Sequence, residues 1–141
     1  MISQTTKVFR VLSLLFTILV VVVSSWPGLQ LPDVGARGLD KVAHFSQYAI
    51  LAYLVLRGWG RAAGGKGRYP EWILVVLLVL FAAADEYHQD WIPGRDPDWH
   101  DWLADAAGIL CGYWAGQWRW RDRRTGANAT IDSRAESTTV R

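Results

Sequence analysis

Residues 72–89 read Trp-Ile-Leu-Val-Val-Leu-Leu-Val-Leu-Phe-Ala-Ala-Ala-Asp-Glu-Tyr-His-Gln, thirteen apolar residues followed by a polar end. The segment is close to the roughly 20 residues that an α-helix needs to cross a hydrocarbon core about 30 Å thick. Irregular backbone cannot face lipid, so a helix is the structure that this run predicts. The polar end adds Asp85, Glu86, His88 and Gln89. We therefore expect a membrane-crossing helix that carries its chemistry at one end.

Three further apolar runs accompany this segment, two before it and one after it. Together they predict four spans, at residues 8–26, 42–59, 72–90 and 99–118. The 141 residues leave room for one domain, residues 1–120, which we predict to be an all-α integral membrane four-helix bundle with short loops. Residues 121–141 are basic and polar, and we expect a disordered tail. Lys7 and Arg10 before the first run also fit a signal peptide, so its cleavage stays open.

The basic residues are distributed unevenly between the loops. Twelve Lys and Arg residues precede the first span, fill the second loop or follow the fourth span, whereas three lie in the other loops. Lys and Arg accumulate on the cytoplasmic side of membrane proteins. Both termini are therefore predicted to be cytoplasmic in a bacterial plasma membrane, with the first and third loops outside. Nine acidic residues lie at or near this outer end: Asp33, Asp40, Asp85, Glu86, Asp90, Asp96, Asp98, Asp101 and Asp105.

The overall composition excludes some classes of protein. A net charge of +2 is too small to indicate a nucleic-acid partner. The single cysteine, Cys111, lies in an apolar run and excludes an intramolecular disulfide bond. The nine tryptophans concentrate near both ends of the predicted spans, which is typical of side chains at the lipid–water interface.

The polar residues of three predicted helices lie at matching depths. Thirteen residues, about 20 Å of helix, separate Arg57 from His44, Trp72 from Asp85, and Trp118 from Asp105. The three ionisable groups are therefore predicted to lie at the same depth within one helical turn. Each helix also gathers its polar residues on one face. These faces comprise Asp40, His44 and Gln47; Ala82, Asp85, His88 and Gln89; and Asp98, Asp101, Asp105, Gly108 and Gly112.

The acidic face of the fourth helix continues into a glycine stripe. Gly108, Gly112 and Gly116 repeat at four-residue spacing, a pattern typical of close helix packing in lipid, and they also offer a surface for oligomers. A charge inside a membrane normally has a partner or a function. Lys41 and Arg95 pairing with Asp85, Asp101 or Asp105 would make a purely structural network. The surplus of acids favours instead a bound cation, a shared proton or a cationic ligand group.

Two motifs resemble a known family. Asp40-Lys41-x-x-His44-Phe45-x-x-Tyr48 is the first, and Asp85-Glu86-x-His88-Gln89-x-x-x-Pro93-Gly94-Arg95, followed by Asp98, Asp101, Asp105 and Gly108, is the second. Over about residues 8–118 the chain resembles the VanZ-like family of small bacterial membrane proteins. The resemblance implies a location in the cell envelope, and the family's namesake is associated with teicoplanin resistance. His100 has no clear counterpart in the family and is interpreted as an interfacial side chain.

The first functional hypothesis is a binding or modulating protein of the cell envelope. Its outward polar cluster would engage an envelope precursor, a lipid headgroup or a glycopeptide antibiotic. The predicted binding residues are Asp40, Lys41, His44, Gln89, Arg95, Asp98 and Asp101.

The alternative is a membrane-embedded hydrolase or transferase acting on a lipid-linked substrate that can contain phosphate. Its candidate catalytic residues are Asp85, Glu86, His88 and Asp105, because neighbouring carboxylates with different surroundings supply acid and base. Arg95 would then hold a phosphate. Asp85, His88, His44 and Asp105 are also candidate ligands of a divalent metal. A proton-coupled transporter is a third hypothesis, which four spans without an inverted repeat disfavour.

Overall fold

The computed structural model describes residues 3–27, 38–60, 69–95 and 98–118. These residues form four helices: α1 (Gln4–Ser24), α2 (Leu39–Trp59), α3 (Glu71–Gln89) and α4 (99–118). The predicted all-α fold with four helices is confirmed. Within the described residues, Gly60 and Tyr69 form one isolated β-bridge. The predicted disordered tail, 121–141, lies outside them, as do Asp33, Arg37, Arg61, Lys66, Arg68 and Asp96.

Local side-chain chemistry accounts for the ends of the helices. Helix α1 begins before the predicted span because Ser3 caps it, its Oγ accepting a hydrogen bond from the Thr6 N–H at 3.2 Å. Helix α4 begins after Asp98, whose Oδ1 accepts from the His100 N–H at 3.0 Å. Between α3 and α4 the chain reverses at Gly94, where a φ of 79° favours glycine over residues with a side chain.

Successive helices run antiparallel. Arg10 Nε, near the start of α1, donates to Gly58 O at the end of α2 over 2.8 Å. At the other end of α1, Ser24 Oγ donates to Asp85 Oδ2 of α3 over 2.7 Å. The bundle therefore has two different ends. We call the end that holds Ser24, Asp85 and the starts of α2 and α4 the polar end, and the end that holds Arg10 and Arg57 the basic end.

Helix α4 packs closely against α2. A Cβ atom on Gly108 would clash with Phe45 O, and one on Gly112 would clash with Ala49 O, so these backbones approach as only glycine permits. A Cβ on Gly116 would meet no atom within 4 Å. Two of the three glycines in the stripe therefore pack against α2 of the same chain. A role of the stripe in oligomers stays a prediction.

The polarity of the bundle is inverted relative to a typical water-soluble domain. Asp105 is 1% exposed, as deeply buried as the core residues Tyr48 and Ile109. By contrast, Ile18 of α1 and Leu80 of α3 are 59% and 60% exposed. Soluble proteins rarely expose such continuous apolar surface. Among the described helices, α1 is the one whose length and apolarity suffice by themselves for crossing a membrane.

Candidate functional site

All four helices contribute polar side chains to the polar end, and their exposure falls along the axis. Asp40, Lys41 and Asp98 keep between 37% and 48% of their side chains exposed, and we call them the rim cluster. Further in lie His44, Glu86 and Asp105, which we call the buried cluster. Asp101 lies between the two clusters and is 13% exposed in its side chain. The side chains of the rim cluster are thus accessible to solvent, whereas those beneath them are largely covered.

Lys41 holds the rim cluster together. Its ammonium donates to Asp101 Oδ1 at 2.9 Å, to Asp98 Oδ2 at 3.0 Å and to Asp40 Oδ2 at 3.2 Å. These bonds, the one to Asp101 foremost, raise the pKa of Lys41 above its ordinary value. The backbone N–H of His100, then its ring and Lys41, hold the pKa of Asp98 below its ordinary range. Lys41 and Asp98, both outside the predicted spans, therefore stay charged near neutral pH.

His44 and Asp105 form the centre of the buried cluster. His44 Nδ1 lies 3.0 Å from Asp105 Oδ1, and His44 Nε2 lies 3.9 Å from Asp101 Oδ2. The close α2–α4 packing at Gly108, one turn beyond Asp105, positions this pair. A carboxylate oxygen of Glu86 completes the cluster, since the ligand atoms of all three residues lie within 4.8 Å of one another.

Glu86 is bonded through one of its two carboxylate oxygens. Oε1 accepts a hydrogen bond from the Asp98 N–H at 2.6 Å and so ties the end of α3 to the start of α4. Oε2 is buried and has no hydrogen-bond partner among the described residues. An unpaired buried polar atom costs free energy and usually indicates a function or an absent partner.

Asp85 belongs to a separate network, although it is adjacent to Glu86 in the sequence. Its Oδ2 accepts from Ser24 Oγ at 2.7 Å and from the Tyr48 hydroxyl at 3.2 Å. Ser24 has no part in the predicted site. The available signal is weak: Ser13 and Ser24, eleven residues apart, share one helical face of a mostly apolar run, but nothing in the sequence indicates Asp85 as a partner.

His88 and Arg95 face α1 instead of the buried cluster. His88 Nε2 lies 3.1 Å from Ser25 Oγ, and Arg95 donates to Val23 O at 2.8 Å. Gln89 is 5% exposed. Of the two bases predicted to pair with acids, Lys41 therefore pairs with Asp101, whereas the described bond of Arg95 goes to backbone.

The predicted site residues thus meet in three groups instead of one. Among the four predicted metal ligands, His44 and Asp105 are in contact, whereas Asp85 and His88 bond to α1 and α2. Glu86, which was not among the predicted ligands, lies with His44 and Asp105 instead of Asp85 and His88. The catalytic and binding roles assigned to these residues stay predictions.

The fold and the polar end define a small helical protein that sequesters acids and a histidine at one end of its bundle. The family model described as VanZ/LLP1 matches residues 2–119 of the chain. The chain therefore belongs to the VanZ/LLP1 family, which confirms the resemblance drawn from its motifs. No curated protein and no solved structure matches it.

Proposed function

We propose that this VanZ-like chain is a multi-pass protein of the bacterial plasma membrane that binds a polar component of the cell envelope at its polar end. The observation that carries the proposal is the inverted polarity of the bundle. Asp101, Asp105, Asp85 and Glu86 are all buried at one end, while many large apolar side chains on the outer faces of the helices are exposed. A hydrocarbon surrounding favours that exposed surface, and acids kept inside such a bundle normally serve a function.

Apolar exposure on every helix supports insertion of the whole bundle. Leu15 of α1, Ile50 of α2, Leu77 of α3 and Leu110 of α4 are each about half exposed or more. Water would penalise this surface at about 25 cal/mol per Å², whereas lipid removes the penalty. The tryptophans Trp26, Trp72, Trp91, Trp99, Trp114 and Trp118 are each at least 60% exposed, in keeping with a lipid interface.

The basic end supports an orientation with both termini in the cytoplasm. Arg10 stacks over the Trp59 ring at 4.7 Å, and Arg57 over the Phe9 ring at 5.0 Å, so both cations lie at the end opposite the buried acids. Positive residues remain on the cytoplasmic side during insertion. The rim cluster then faces outward, where envelope components are found.

The charges of the polar end favour a ligand that brings cationic or hydrogen-bond-donating groups. Lys41 is shared by three carboxylates, and the buried acids bond to hydroxyl, imidazole and amide donors. The rim cluster is exposed enough for contact. An envelope precursor, a lipid headgroup and a glycopeptide antibiotic all offer such groups, and the family resemblance makes teicoplanin an informative probe.

The test is a binding measurement on the full-length protein in lipid nanodiscs. Teicoplanin and a lipid-linked wall precursor are titrated separately against the wild type and against Asp101→Asn, which keeps the shape and removes the charge that Lys41 and His44 face. We expect at least one probe to bind and Asp101→Asn to weaken it by about tenfold, the effect of about 1.4 kcal/mol.

Asp90→Asn is the matched control, because Asp90 is an exposed acid at the same end of the bundle. It should leave the affinity unchanged. Binding that persists at wild-type strength in Asp85→Asn, His88→Ala, Arg95→Ala and Asp101→Asn would contradict the proposal, as would the failure of both probes to bind.

A second candidate function is the membrane-embedded hydrolase or transferase. The observation that favours it is the His44–Asp105 pair at 3.0 Å with the Glu86 carboxylate in the same cluster, since a positioned histidine and carboxylate can exchange protons. Turnover of the lipid-linked precursor by the reconstituted wild type, abolished in His44→Ala, would favour this candidate over simple binding.

A further inference from the structure

The buried cluster brings together donor atoms from three helices. His44 comes from α2, Glu86 from α3 and Asp105 from α4, and one ligand atom of each lies within 4.8 Å of the other two. His44 Nδ1 and Asp105 Oδ1 are 3.0 Å apart. Two ligands held at about 2.0–2.2 Å from one ion are themselves about 3 Å apart, so this pair has the spacing that a shared ion requires. Bringing a carboxylate oxygen of Glu86 to the same spacing needs side-chain movements of about an ångström.

The second observation is the unsatisfied oxygen of Glu86. The residue is 9% exposed, its Oε1 accepts from the Asp98 N–H, and its Oε2 is buried with no hydrogen-bond partner in the part of the chain that the structure describes. A buried carboxylate oxygen with no donor is costly, and a cation is the partner that relieves this cost most fully. Since Glu86 belongs to the cluster whose donor atoms converge, the unpaired oxygen and the convergent geometry point to the same ligand.

The local balance of charge also favours a cation. The buried cluster holds two carboxylates and one imidazole, and the bonds of the Lys41 ammonium go to Asp40, Asp98 and Asp101 instead. Asp101 Oδ2 faces the second ring nitrogen of His44 at 3.9 Å. A histidine that binds a metal through one nitrogen characteristically presents the other to a carboxylate, which fixes its orientation.

From this geometry we infer that His44, Glu86 and Asp105 form a binding site for one divalent transition-metal ion. One imidazole nitrogen with two carboxylates is a borderline donor set, suited to Zn²⁺ or Mn²⁺ and poorly suited to Cu⁺. The site goes beyond the proposed binding of an envelope component, because uptake of a metal needs no such ligand. With an ion in place, Glu86 Oε2 would have its partner, and α2, α3 and α4 would be joined at the polar end.

The experiment uses the full-length protein, stripped with a chelator and then titrated with Zn²⁺ and with Mn²⁺. Calorimetry gives stoichiometry and affinity, and elemental analysis after dialysis gives the retained metal. We expect about one equivalent in the wild type. Glu86→Gln keeps an oxygen for the Asp98 N–H but removes the charge, and it should weaken binding by more than about tenfold. Asp90→Asn, an exposed acid at the end of the same helix, should bind as the wild type does.

Two further measurements keep the test decisive if Glu86→Gln folds poorly. Circular dichroism of the stripped proteins compares their helix content. The absorption spectrum of Co²⁺ in the wild type reports directly on nitrogen and oxygen ligation and should be abolished by Zn²⁺.

Absence of binding by the wild type to either ion would overturn the inference and leave His44 and Asp105 as a hydrogen-bonded pair only. Equal affinity in folded Glu86→Gln, or equal losses in Glu86→Gln and Asp90→Asn, would overturn it too. Repeating the probe titration with chelator present separates the two proposals. Probe binding without metal uptake contradicts the metal site alone, and metal uptake without probe binding contradicts the proposed function alone.

Discussion

At the scale of single residues, each buried carboxylate of the polar end has a different kind of donor. Asp85 takes hydroxyls, Asp105 an imidazole, Glu86 a backbone amide and Asp101 the Lys41 ammonium. Every donor comes from another helix or from the start of the next one. Hydrogen bonds to charged groups contribute about 1.5–3 kcal/mol each, more than those between neutral groups. The acids therefore act as cross-links between helices as well as candidate functional groups.

Tyr48→Phe tests the Asp85 network. Tyr48 is fully buried, and its hydroxyl donates to Asp85 Oδ2. Removing it leaves Asp85 with Ser24 and should lower the free energy of unfolding by about 1–3 kcal/mol. Thermal unfolding in detergent measures the change. Tyr87→Phe, at an exposed position of α3, is the control and should be neutral; equal stabilities of the two variants would show that the Tyr48 bond contributes nothing.

Asp98 makes the contribution of the rim cluster to folding stability depend on pH. Its pKa lies below the ordinary value of 3.8, so the folded protein holds the charged form more strongly than the unfolded chain does. The stabilisation is complete above about pH 4 and is lost as the pH falls through the lowered pKa. The stability difference between wild type and Asp98→Asn should therefore shrink as the pH falls below 4. A difference that grows over that acidic range would contradict the assignment.

At the scale of helices, the sequence predicts faces and depths but not which faces meet. The glycine stripe of α4 correctly indicates close packing at Gly108 and Gly112 but not at Gly116, and the depth count correctly brings His44 to the level of Asp105. Asp85 and Glu86 are adjacent and therefore about 100° apart around α3. Only the packing of the other helices decides that Asp85 turns to Ser24 and Glu86 to the buried cluster. Ser24 was missed for the same reason, since its partner lies 61 residues away.

Gly112→Ala tests the α2–α4 contact. The added Cβ would clash with Ala49 O, so α4 must shift, and overpacking of this kind costs about 1–3 kcal/mol. Gly116→Ala is the matched control in the same stripe, where a Cβ meets no atom within 4 Å. Thermal unfolding should place Gly112→Ala well below Gly116→Ala. The reverse order would mean that the stripe packs against something other than α2.

At the scale of the whole molecule, the inverted polarity unites the fold with the proposed function. The exposed apolar side chains on its helices suit the bundle to a lipid surrounding. The acids buried at one end suit that end to a polar ligand. Composition could predict this division, because long apolar runs and clustered charges are visible in the sequence. The gradation from the exposed rim cluster to the buried cluster could not be predicted, because it depends on how far Lys41 and Asp98 reach across from α2 to α4.

The most direct test of this account is the side of the membrane on which each end of the bundle lies. Single cysteines are placed at the polar end by Asp90→Cys and near the basic end by Tyr69→Cys, both exposed positions, in a Cys111→Ala background. Right-side-out membrane vesicles are then treated with a membrane-impermeant maleimide. The account predicts labelling of Asp90→Cys in intact vesicles and of Tyr69→Cys only after permeabilisation. Labelling of Tyr69→Cys but not Asp90→Cys in intact vesicles, or equal labelling of both, would contradict it.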